Sequence, residues 1–121
     1  MTERYGLKAD VIEKIQAVLA RFETVDAAIL YGSRAKGNFK PGSDIDLTLK
    51  VSEDAPRSLL ADVTGAIDDL DLIYTFDISL LHHIKNENLL DHFKRVGVEF
   101  YNAAEYAKNQ QAKKARPDLD P

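Results

Sequence analysis

A chain of 121 residues is enough for one small domain with a modest core. Its 45% apolar and 30% charged residues are an ordinary globular balance, and a net charge of −4 argues against a body built to grip nucleic-acid backbone, so no direct nucleic-acid binding is expected. The absence of cysteine excludes disulfides, thiolate nucleophiles and cysteine-based zinc sites; with no signal-like leader or membrane-length apolar run, a cytoplasmic setting is expected.

Helix and strand patterns alternate along the chain. Leu7, Val11, Ile15, Val18, Leu19 and Phe22 recur at helical spacing and predict an amphipathic helix over roughly 7–22. Val25–Tyr31 is a short apolar run that reads as a strand ending at Gly32. Ile45–Val51 alternates, with Ile45, Leu47, Leu49 and Val51 on one face and Asp46, Thr48 and Lys50 on the other, the face to which Asp44 also belongs. Pro56 suits the first turn of a second helix capped by Ser52 or Asp54, with Leu59, Leu60, Val63 and Ile67 turned inward. A third strand is expected where Leu72, Tyr74, Phe76 and Ile78 alternate with Ile73, Thr75, Asp77 and Ser79. Leu89, Leu90, Phe93 and Val96 predict a further helix closed by Gly97, and Val98–Tyr101 an edge strand. The domain is taken as 1–103, and the polar stretch 104–121 as a weak helix fraying into disorder or a segment ordered by a partner.

The chemistry concentrates in residues 31–47, Tyr-Gly-Ser-Arg-Ala-Lys-Gly-Asn-Phe-Lys-Pro-Gly-Ser-Asp-Ile-Asp-Leu. Gly32-Ser33 makes a small-residue turn whose N–H groups and hydroxyl can hold phosphate, followed by a short helix at Arg34–Gly37. Asp44 and Asp46, at i and i+2 on a strand, project from one face and can share Mg²⁺. Asp77 lies on the polar face of the third predicted strand, so a mixed sheet with helices on its apolar side brings three acids together on the open side. Such carboxylates repel unless a cation neutralises them, and two Mg²⁺ ions about 3.5–4 Å apart suit acids spaced this way. Gly32-x4-Gly37 is not a P-loop, because Asn38-Phe39 occupies the positions of the required Lys and Ser/Thr. Gly32 ending a strand, and Pro41-Gly42-Ser43-Asp44 as a turn capped by Asp44, are the plainer readings of each piece taken alone.

Gly-Ser, ten further residues, then Asp-x-Asp with a third acid on a later strand resembles the nucleotidyltransferases of the DNA polymerase β superfamily. The short chain is similar to the minimal nucleotidyltransferases, MntA-type antitoxins encoded beside HEPN-domain partners. This resemblance covers roughly residues 7–101. It implies Ser33 on the triphosphate, Asp44 and Asp46 on two Mg²⁺ ions, and Asp77 as third ligand and general base, with Asp69 and Asp71 as alternatives for the third acid. It further implies ATP as substrate and transfer of AMP to a hydroxyl, a tyrosine of a HEPN-type toxin. An idle binding module that silences its partner by contact, and the catalytic half of a small-molecule nucleotidyltransferase, stay open as alternatives. Too little chain follows the last strand for a helical substrate-binding domain, so a separate partner is expected.

Among other residues, His82, His83 and Glu87 are badly spaced for one helix face and read as surface positions. Arg34 and Lys36 can bind phosphate or only solvate a turn, and Lys50 can reach a phosphate or merely pair with a carboxylate. Tyr101 and Tyr106 read as packing or partner-contact residues.

Overall fold

The computed structural model describes residues 3–114. The chain opens with a two-stranded hairpin, β1 (Glu3–Arg4) and β2 (Leu7–Lys8), which runs into α1 (Ala9–Ala20). Then follow β3 (Val25–Tyr31), α2 (Gly32–Lys36), β4 (Ile45–Val51), α3 (Leu59–Asp68), β5 (Phe76–Leu80), a 3₁₀ turn at Leu81–His83, α4 (Glu87–Val96), β6 (Val98–Asn102) and α5 (Ala103–Lys114). The main sheet has the order β5-β4-β3-β6; β3 pairs antiparallel with β4 and β6, whereas β4 and β5 run parallel, joined by the α3 crossover. This is the expected α/β class with a small mixed sheet.

The core lies on one face of the sheet. Ala28, Leu30, Leu47 and Leu49 meet Ile12, Ile15, Val18 and Leu19 of α1 and Leu59, Val63 and Ile67 of α3, all buried. Each such aliphatic side chain removed from water contributes about 1.5–3 kcal/mol. α4 lies on the other side of β3, where Phe93 is buried against Tyr31 with ring centroids 4.6 Å apart. It walls one end of the acid-bearing face and leaves the rest open.

Several boundaries differ from the expected ones for local reasons. Leu7 and Lys8 belong to the hairpin rather than to α1, because Tyr5 and Gly6 at φ 59° and 72° form a two-residue turn that pairs Arg4 with Leu7. Neither Ser52 nor Asp54 caps α3. The Ser52 hydroxyl donates to Asp54, Pro56 sits in the preceding turn, and the helix starts behind Ser58. β5 begins at Phe76, since Leu72–Thr75 approach the sheet as a loop entered through Asp71 at φ 54°. α4 is capped as well as patterned: Asn86 Oδ1 accepts from the N–H groups of Asn88 and Leu89.

Of the polar stretch after Ala103, residues up to Lys114 form α5, whose first turn is capped by Asn102 Oδ1 accepting from Glu105 N. Residues 115–121 lie outside the described residues. No helix among the described residues is long and apolar enough to cross a membrane.

Candidate active site

Strand register sets the geometry. Tyr31 is paired with Asp46 across β3 and β4, and Asp46 with Asp77 across β4 and β5, so the three stand in one row across the sheet. Residues directly opposite share a face. Asp44 precedes Asp46 by two positions, and its carboxylate accepts the Thr75 hydroxyl, while Ile45 N donates to the Thr75 carbonyl at 2.9 Å. The loop entering β5 is thereby latched to the start of β4. Two residues further along both strands, in the register pair Thr48–Ser79, the Ser79 hydroxyl donates to Thr48 Oγ1 at 3.0 Å.

The electrostatics follow. Burial, then the neighbouring Asp77 and Asp44 carboxylates, push the Asp46 carboxyl above its ordinary 3.8, against an opposing pull from Arg34. Burial and the Asp77 and Asp46 charges likewise raise the Tyr31 phenol, with a Ser79 hydrogen bond working the other way. Asp44 and Asp77 are exposed and Asp46 is half-buried, so the acids are open to a ligand. Asp69 follows the end of α3 and Asp71 occupies the left-handed loop position; neither shares a strand with the other acids.

Gly32 begins α2, which closes at Gly37. Its φ of 75° lies in the left-handed region, and a Cβ there would run into the Asp46 carboxylate. Only glycine lets the turn and the acid come this close. Its N–H donates to His92 Nε2 on α4 at 3.3 Å. Sequence reading missed His92, because nothing in the local pattern of α4 announces a contact sixty residues away.

Arg34 neither reaches outward for phosphate nor solvates a turn. It is 2% exposed, with Nε and Nη2 donating to the Ser43 carbonyl at 3.1 and 2.9 Å, Nη1 to the Tyr5 carbonyl at 2.9 Å and Nη2 also to Pro41 at 3.3 Å. Its guanidinium carbon lies 5.4 Å from the centroid of the Phe39 ring and 5.1 Å from that of Tyr74. It ties the N-terminal hairpin, the loop before Asp44 and the loop before β5 into one unit. The turn of residues 40–43 is closed by Ser43, whose Oγ accepts from Lys40 N at 2.8 Å, so Asp44 is not its cap. Lys36 and Lys50 are exposed, as are His82 and His83. Tyr101 and Tyr106 pack on each other at 5.8 Å.

Among the described residues no three His, Cys, Asp or Glu side chains already converge as a ligand set. The donors available at the acid row are hard carboxylate oxygens, the type that suits Mg²⁺, and they stand as register neighbours on adjacent strands, so the residues fit a divalent cation.

A glycine–serine turn thus stands at the mouth of a small mixed sheet, beside acids on two adjacent strands. The family model "Polymerase beta, Nucleotidyltransferase" matches residues 13–106, and the chain belongs to that family. Among solved structures, a toxin–antitoxin complex with AMP-PNP is 17% identical at a TM-score of 0.59, covering 89% of this chain and 93% of that one. An MntA–HepT toxin–antitoxin structure is 15% identical at 0.55, covering 93% and 94%. A structure of tri-AMPylated Shewanella oneidensis HEPN toxin in complex with MNT antitoxin is 15% identical at 0.54, covering 90% and 91%. At these identities the likeness is one of fold. Comparison with curated proteins gives no significant match.

Proposed function

We propose that this chain is a Mg²⁺-dependent nucleotidyltransferase that moves AMP from ATP onto a tyrosine hydroxyl of a HEPN-type toxin, in the cytoplasm, and so acts as its antitoxin. The observation that carries the reading is the register of Asp46 against Asp77, with Asp44 beside them and the Gly32-Ser33 turn at the end of the same row. Family membership supports the reaction class. The choice of AMP and of a HEPN protein draws on the AMP-PNP and AMPylated toxin named for the structural neighbours.

In this reading Ser33, through its N–H and hydroxyl, orients the β- and γ-phosphates, while Asp44 and Asp46 would hold the Mg²⁺ ions, with Asp77 as third ligand. Mg²⁺, when bound, neutralises the triphosphate and eases departure of pyrophosphate. Asp77 takes the proton as the acceptor oxygen bonds to the α-phosphorus and the α–β bridging bond breaks. The face left open by α4 admits the acceptor.

The test is co-expression of the chain, or of its Asp44→Asn/Asp46→Asn variant, with the adjacent-gene product. Rescue of growth and added AMP mass on the partner with wild type alone is the expected result. Equal rescue by the double variant, with no added mass, would establish silencing by contact and overturn the enzymatic reading.

A further inference from the structure

The residues assigned so far lie on β3, β4, β5 and the turn between them, yet one side chain from a distant element enters this cluster. His92, on the second turn of α4, presents Nε2 to the N–H of Gly32 at 3.3 Å. An imidazole nitrogen accepts such a bond through its unprotonated lone pair. The ring is fixed from two sides, lying edge-on to Tyr31 with centroids 6.2 Å apart, while adjacent Phe93 packs on the same tyrosine at 4.6 Å. Tyr31 is in turn the register partner of Asp46. One helical turn therefore grips both the glycine of the turn and the strand residue beside the acids.

Gly32 has little conformational preference of its own, and its φ of 75° is one that glycine samples and abandons freely. Its N–H has a single hydrogen to give, and His92 takes it. We propose that His92 is the positioning residue of the phosphate-binding turn. It commits the Gly32 N–H, holds the left-handed conformation, and leaves the Ser33 N–H and hydroxyl as the donors turned toward the triphosphate. This rests on the nucleotidyltransferase reading for the identity of the ligand, though not for the hydrogen bond itself.

The experiment compares wild type, His92→Phe and His92→Gln. Phenylalanine keeps the aromatic contact with Tyr31 but accepts nothing; glutamine places Oε1 near the position of Nε2 and can take the Gly32 N–H. Affinity for AMP-PNP with Mg²⁺ is measured by calorimetry, alongside a melting curve for each protein. His92→Phe is expected to bind about three- to tenfold more weakly, the worth of one lost hydrogen bond, with the melting temperature lowered by no more than a few degrees. His92→Gln is expected within about twofold of wild type on the same scale. Undiminished affinity in His92→Phe overturns the proposal, as does an equal loss in both variants, which would assign the effect to ring packing.

Failure of wild type to bind AMP-PNP would instead sink the nucleotidyltransferase reading, and the phosphate role with it. A second measurement needs neither nucleotide nor variant. In mildly alkaline buffer, nitrogen NMR of wild type should find His92 Nε2 unprotonated and the Gly32 amide slow to exchange. A proton on Nε2 refutes the bond outright.

Discussion

Asp46 is the residue in which burial and charge meet, and its behaviour with pH has a definite sign. Because its folded carboxyl is held above its ordinary 3.8, the folded state favours the protonated acid. That contribution is fully present below the unfolded value and is lost as pH rises through the folded one. Near neutrality the ionised group therefore costs stability, and Asp46→Asn should melt higher than wild type in metal-free buffer. The gap should close as pH falls toward 4, and melting curves across that range decide it; a constant gap would mean that charge is not the cause. Asp77→Asn separates roles. It should keep Mg²⁺·ATP binding yet lose transfer by about 10²–10⁴-fold if Asp77 takes the proton. Calorimetry beside a rate assay checks this, and a loss of binding equal to that of Asp44→Asn would make Asp77 chiefly a ligand. Arg34→Met should cost about 2–4 kcal/mol in urea unfolding, because the Tyr5, Pro41 and Ser43 carbonyls lose a buried donor.

At the scale of elements, what sequence showed was whatever periodicity encodes. β3 and β4 run over the expected residues, Val25–Tyr31 and Ile45–Val51, because alternation and a closing glycine are local signals. The hairpin at the N-terminus was not legible, since two-residue strands carry no period and Leu7 fits a helical stripe as well as a strand. The sequence pattern overstates β5 for a similar reason. Leu72–Thr75 alternates like a strand, but Asp71 turns the backbone left-handed, and Ile73, 92% exposed, faces solvent. In the sequence Arg34 reads as a phosphate ligand or a turn residue because a basic residue next to a glycine turn looks exposed; its burial depends on carbonyls from residues 5, 41 and 43, which no local pattern reports. His92 was hidden in the same way. Gly32→Ala tests the junction of β3 and α2: the methyl would meet the Asp46 carboxylate at a strained φ, so Mg²⁺-dependent nucleotide binding should disappear together with a drop in melting temperature. Wild-type binding by this variant would remove the turn from the site.

For the molecule as a whole, the fold places its apolar business on one side and its charge on the other. α1 and α3 close the core, and among the described residues α4 is the helix that packs beside Tyr31 on the acid face. A cavity of about 640 Å³ lies elsewhere, between α1 and α5, lined by Asp10, Glu13, Gln16 and Tyr106 among others, and no acid of the row reaches it. Mg²⁺ should accordingly raise the melting temperature of wild type, with the increment lost in Asp44→Asn/Asp46→Asn, since only a cation bound by the native state shifts that equilibrium. Asp46 and Asp77 also meet across the sole parallel pairing of the main sheet among the described residues, and that pairing cannot form until the α3 crossover has closed. Joining β5 to β4 thus combines a long loop closure with the approach of two like charges. The consequence is kinetic: docking of β5 should be slowed by the very groups that define the site. Refolding of Asp77→Asn should outpace wild type in metal-free buffer, and added Mg²⁺ should accelerate wild type alone.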